Sequence, residues 1–141
     1  MSNFKDITSS VQVIGCIFNN PKILDMTETY FFAEEDFVDE LHRIVFGSIY
    51  NLHQLGAKEI TLASIEDYLE QRPKKLAVYK VNKGPEFLLK CSEVAKDAAF
   101  DYYYNRIKKM TLMRAYQQLA HMDMSWLYDE DVLDSTKKQQ Q

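Results

Sequence analysis

Glycine, proline and cysteine are all scarce here: the 141 residues hold four, three and two of them. Each scarcity excludes something. Loops that cradle phosphate need glycines at fixed intervals, because only a residue without Cβ lets successive backbone N–H groups close around an anion. Gly15, Gly47, Gly56 and Gly84 fit neither the P-loop nor the G-x-G-x-x-G spacing, so neither nucleotide-binding motif lies in this chain. Few glycines and prolines also leave few of the turn residues that a chain of many short strands requires, which favours helices. Cys16 and Cys91 are too few for a disulfide framework. They lie among apolar residues and read as small core residues of a protein from a reducing compartment.

Long apolar runs are missing as well. No stretch reaches 18 uncharged apolar residues, and the first ten residues contain no apolar signal segment, so the expectation is a soluble, cytoplasmic protein with no membrane association. An excess of positive charge is also absent. Seventeen basic against 21 acidic residues leave a net charge of −4, which is not the basic footprint of a dedicated nucleic-acid binder and not an acidic solvating tail.

The residues of catalysis are present but scattered. His42, His53, His121 and the two cysteines form no C-x-x-C or H-E-x-x-H arrangement, so no metal site is expected. His42 and His53 would share one face of a helix, yet sit about 16 Å apart along it, too far to grip one ion. No serine lies in a Gly-x-Ser-x-Gly context. The run Glu34, Glu35, Asp36, Asp39 and Glu40 reads as a solvated face rather than an acid/base pair. No catalytic residue and no cofactor are assigned.

What remains is helix. The composition, 46% hydrophobic and 27% charged, suits a globular domain, and a chain of this length buries about two-thirds of its surface on folding without a staple. Ser9 or Ser10 is placed to cap a helix carrying Val13, Ile14, Ile17 and Phe18. Asn20 and Pro21 are placed to open a second helix running to Phe31. Residues 34–36, closed by Phe37, read as a short helical turn or loop. From 39 to 55, Leu41, Ile44, Val45, Ile49, Leu52 and Leu55 make one stripe, and His42, Phe46, Tyr50 and His53 make a second, with Gly56 at the C-terminal cap. Thr61 caps a helix bearing Leu62, Ile65, Tyr68 and Leu69 that Pro73 stops. Residues 74–83 fit helix and loop templates equally, and their four lysines read as solvated surface. Gly84 and Pro85 start a further helix with Phe87, Leu88, Cys91 and Val94 on one face.

After Lys96 and Asp97 no glycine or proline follows. Phe100, Tyr103, Tyr104, Ile107, Thr111, Ala115, Leu119 and Met122 continue one helical stripe. A helix of about 25 residues would be about 38 Å long and exceed the width of a small head, so part of it should project and need a cover. Asp129, Glu130 and Asp131 would then break or restart it. The expectation is an all-α fold: a compact multi-helix head, residues 1–96, followed by a long projecting helix and the start of a hairpin or linker, residues 97–141.

The order of these features resembles the N-terminal domain of DnaB-type replicative DNA helicases. The resemblance is carried by Ile14-Gly15, Asn20-Pro21, Glu35-Asp36-Phe37, His42-Arg43-Ile44-Val45-Phe46, Leu52 to Gly56, Ile60-Thr61-Leu62, Gly84-Pro85-Glu86-Phe87-Leu88, and Tyr104 to Ile107 followed by Arg114. Each motif alone is weak, but their order and spacing together are specific, and they run from about Ile7 to Leu119. Three departures stand out: no acidic residue of the usual kind precedes the first helix's apolar face, Gly84-Pro85 replaces a Gly-Gly, and the segment 74–83 is longer than typical.

The resemblance implies a non-catalytic role. The domain would help helicase subunits assemble, as a dimer or within the hexameric ring of a full-length protein, and would dock a DnaG-type primase and in some systems a helicase loader. The ATPase would lie C-terminal to a linker, so the chain is expected to be a fragment ending one arm and a stub into its hairpin. The alternative is a stand-alone relative, such as a phage-encoded helicase modulator or inhibitor. Tyr104, Ile107, Thr111, Met113, Arg114, Ala115 and Leu119 are the candidate protein interface. Gly15, Pro21, Phe37, His42, Phe46 and Gly56 are the motif and core positions. Direct DNA binding is not expected; it would need residues 74–83 to cluster with Arg106, Lys108, Lys109 and Arg114.

Overall fold

A computed structural model describes residues 4–121, and among these every regular element is helical. Six α-helices follow in order: α1 Ile7–Asn19, α2 Glu40–Gln54, α3 Leu62–Glu70, α4 Pro73–Val81, α5 Gly84–Val94 and α6 Phe100–His121. Short 3-10 turns occupy Pro21–Asp25, Glu34–Asp36 and Asp97–Ala99.

Helix α1 begins earlier than its serines indicate. Asp6, not Ser9 or Ser10, is the N-cap, and its Oδ1 accepts from the Ser9 backbone N–H at 2.9 Å. Both serines are buried inside the first turns. The carboxylate supplies the acceptor that the helix's orphan N–H groups need.

The apolar face of α1 is packed against α5 with no room to spare. A Cβ on Gly15 would lie 2.0 Å from the Cys91 carbonyl oxygen, so only glycine lets these two backbones meet. Gln12 closes the same contact polarly: its Nε2 donates to Val94 O at 2.8 Å, and its Oε1 accepts from Lys96 N at 2.9 Å. Cys16 and Cys91 are buried free thiols, and burial pushes each up to about 12. They are apolar packing units, as expected from the sequence.

The second expected helix does not form. After the turn Pro21–Asp25 the chain becomes irregular through residues 30–33. Tertiary contacts override the helical pattern here, because alternate side chains must face the core. Tyr30 packs edge-on against Phe100 and Tyr104 at 4.9 and 5.0 Å, and Phe32 meets Phe46 at 5.2 Å, while Phe31 between them points outward. A helix cannot put residues 30 and 32 on one side and 31 on the other.

Helix α2 is central, and both of its stripes are used. Val45 and Ile49 are fully buried, and His42 stacks on Phe87 at 4.7 Å. Gly56, at φ +92, ends it in the left-handed region. Thr61 caps α3 through a reciprocal pair, Ser64 N to Thr61 Oγ1 at 3.1 Å and Thr61 N to Ser64 Oγ at 2.7 Å. The ambiguous segment resolves as α4, with Pro73 in its first turn. Its one fully buried side chain, Tyr79, lies where a Cβ on Gly84 would come within 2.2 Å of the ring.

Candidate protein interface on the last helix

Helix α6 has 22 residues and is about 33 Å long. Its first half is fastened to the head at several levels. Tyr104 accepts from the Phe31 N–H at 2.8 Å and donates to Phe31 O at 3.1 Å. Tyr30 donates to the Asp101 carboxylate, an arrangement that, with burial, lifts the phenol to about 12. Ile107 is only 2% exposed and belongs to the core. One turn further, the buried carboxylate of Asp36 accepts from Lys108 Nζ at 2.8 Å and from the Thr111 hydroxyl at 2.7 Å.

Two arginines complete the fastening. Arg106 meets Asp6 at 3.0 Å. Burial opposes the charge on Asp6, but its hydrogen bonds from Ser9 and Arg106 and the attraction of that guanidinium outweigh it and hold the carboxyl below its usual range. Arg114 donates to the carbonyls of Phe4 and Glu35, and burial pushes its guanidinium down.

These contacts divide the candidate interface residues. Tyr104, Ile107, Thr111 and Arg114 face the head, so they hold α6 in place and are not free for a partner. Met113 is half-buried, whereas Ala115 and Leu119 are exposed. The structure shifts the open stripe by about a third of a turn. Tyr102, Leu112, Tyr116 and Leu119 are 62%, 53%, 61% and 56% exposed and, with the exposed Asn105 and Lys109, form a continuous line at helical spacing. The stripe of residues 102, 109, 112, 116 and 119 was present in the sequence. Of it only Leu119 stands among the candidates the sequence offers, because α6 carries apolar residues on two faces and periodicity alone does not say which one the head covers.

The motif positions are structural. Phe37 stacks on Phe46 at 4.7 Å, Pro21 opens its 3-10 turn, and Gly15 and Gly56 occupy places that only glycine suits. His42 is buried, which pushes its imidazole down against the opposing pull of Asp39, and Lys5 adds to the lowering. His53 bonds Asp25 at 2.8 Å. Among the described residues no group of three His, Cys, Asp or Glu side chains is placed to hold a metal ion. No helix among them is long and apolar enough to cross a membrane. Of the cations that a DNA-binding face would need, Arg106, Lys108 and Arg114 are committed to partners in the head, and Lys80 lies 3.6 Å from Glu66.

Comparison with known proteins agrees with this architecture. Residues 4–109 match the family model described as DnaB-like helicase N terminal domain. The chain is 31% identical over 135 residues to the SPbeta prophage-derived uncharacterized protein YorI of Bacillus subtilis (strain 168), covering 96% of this chain and 27% of that protein. It thus spans about a quarter of the length of this relative. No solved structure matches it significantly. An all-helical head, the ordered motifs and a family match over most of the chain converge: the chain belongs to the DnaB-like helicase N-terminal domain family.

Proposed function

We propose that this chain serves a replicative DNA helicase as a non-catalytic domain for self-association and partner docking, acting by presenting surfaces rather than by chemistry. The observation that carries the reading is the outer face of α6. Leu112, Tyr116 and Leu119 are each more than half exposed on a helix whose other side is fixed to the head, and nothing among the described residues covers them. A contiguous apolar stripe of this kind marks a site of association.

In this reading residues 1–96 form the head and residues 97–141 the arm. The arm pairs subunits, in a dimer or in the hexameric ring of a full-length protein, while a DnaG-type primase, and in some systems a loader, docks on the same domain. ATP hydrolysis belongs to a separate motor domain, since no P-loop spacing exists among the glycines. DNA is not held directly, because the cations of α6 are largely spent on internal pairs.

Light scattering across a concentration series tests the association, with immobilised chain and purified primase as the second measurement. Mass that rises with concentration, and primase retained by the chain, support the reading. A strict monomer that retains no primase contradicts it.

A further inference from the structure

A groove of about 510 Å³ runs along α2, walled by Phe32, Phe37, Phe46 and Tyr50, with Gly47 in its floor. Glycine in the middle of a helix weakens it relative to alanine. At Gly15 and Gly84 close packing explains the residue, but a Cβ on Gly47 would meet nothing within 4 Å. The isolated chain therefore gives no packing reason for a glycine there, and a body entering the groove does. The groove spans Glu40 to Tyr50 on α2, about 15 Å at the helical rise.

The two ends of the groove differ in charge. Glu34 and Glu40 stand at one end with Arg43. Arg43 already donates to Phe37 O and Val38 O and lies 4.0 Å from Glu34, while Glu40 has no ion-pair partner among the described residues. Along α2 the lining runs on to Gly47 and Tyr50, and Lys75 of α4 lines the groove as well, its methylene stem offering an apolar wall.

The open stripe of α6 has the complementary order. Lys109, without an ion-pair partner among the described residues, is followed by Leu112, Tyr116 and Leu119, and Lys109 to Leu119 also spans about 15 Å. We propose that the α6 stripe of one copy of this chain seats in the α2 groove of a second copy, with Lys109 against Glu34 and Glu40 and the Tyr116 ring over Gly47. This rests on the self-association proposed above and adds its geometry. The contact joins one surface to a different one, so two copies that make it reciprocally close a dimer, and copies that make it one way extend from subunit to subunit and close into a ring where the rotation allows.

The test uses the 141-residue chain and sedimentation equilibrium. Gly47→Leu fills the groove from the exposed side of α2, and Leu112→Lys with Tyr116→Lys charges the stripe; circular dichroism checks that both variants fold. Each variant alone is expected to associate at least tenfold more weakly than wild type. An equimolar mixture is expected to regain a one-to-one complex that grows no further, since one partner keeps its stripe and the other its groove. If Gly47→Leu associates like wild type while the stripe variant does not, the groove proposal is overturned and self-association through α6 stands. A mixture that stays monomeric overturns it equally. A wild-type chain that never associates removes both.

Discussion

The Thr111 hydroxyl donates to the Asp36 carboxylate at 2.7 Å, across 75 residues of sequence. That bond, with Lys108 on the other oxygen and the Ala33 N–H at 2.8 Å, joins the turn ahead of α2 to the middle of α6. The side of α6 that faces away from this anchor is exposed at Tyr102, Leu112, Tyr116 and Leu119, so the anchor marks the face of α6 that stabilises the head and leaves the opposite face open. Asp36 had read as one member of a solvated acidic run. It is instead 3% exposed and fully partnered.

Asp36→Ala removes the acceptor for three donors and leaves the Lys108 ammonium without its partner. The expected loss is about 2–3 kcal/mol, short of the full cost of breaking a buried pair because Lys108 retains some access to water. Thr111→Val, which removes the hydroxyl that bonds Asp36 and the Ile107 carbonyl and accepts from Arg114 at 3.2 Å but leaves the carboxylate its other two donors, should lose less, about 1–2 kcal/mol. Urea denaturation of the two variants checks the order.

Three glycines should respond to alanine in opposite directions. Gly15→Ala forces the methyl into the Cys91 carbonyl and Gly84→Ala forces it into the Tyr79 ring, each costing about 1–3 kcal/mol, with Gly15 the worse because backbone must move. Gly47→Ala meets open space and should raise stability by about 0.4–1 kcal/mol. Melting temperatures that fall for the first two and rise for the third are the expected pattern.

Acid should weaken the fold in two windows. His42 is held below its ordinary value by burial, so the unfolded chain binds a proton more readily, and stability falls as pH drops from about 6.5 toward the folded value. Asp6 is held low by its hydrogen bonds and Arg106 despite burial. Its contribution is complete above about pH 4, the unfolded value, and is lost as pH falls through the folded one. Replacing His42 by Phe, which preserves the stack on Phe87, should flatten the upper window alone. Thermal melts at pH 7.5, 5.5 and 3.5 separate the two.

Helix positions were largely legible in the sequence, because Leu41 to Leu55, Thr61 and the Gly84-Pro85 start carry local signals that packing did not overrule, whereas Pro73, which reads as the stop of α3, also opens α4. The region 20–33 was not, since the alternation of Tyr30, Phe31 and Phe32 is dictated by the aromatic surface of α6 and α2, distant in sequence. The start of α1 was misplaced for a simpler reason. Asp6 and the serines are all good caps, and the choice depends on Arg106, a hundred residues away. The open stripe of α6 differs in phase from residues 104, 107, 111 and 115, because Ile107 and Leu119 look alike in sequence and differ only in what lies beside them.

Sedimentation equilibrium of Leu119→Asp beside a thermal melt of Ile107→Asp tests the central claim most directly, that the outward phase of α6 is for association and the inward phase for folding. The account predicts that Leu119→Asp melts like wild type and loses association, and that Ile107→Asp loses stability by several kcal/mol as a charge enters the core. An associated Leu119→Asp chain, or an Ile107→Asp chain as stable as wild type, would contradict it.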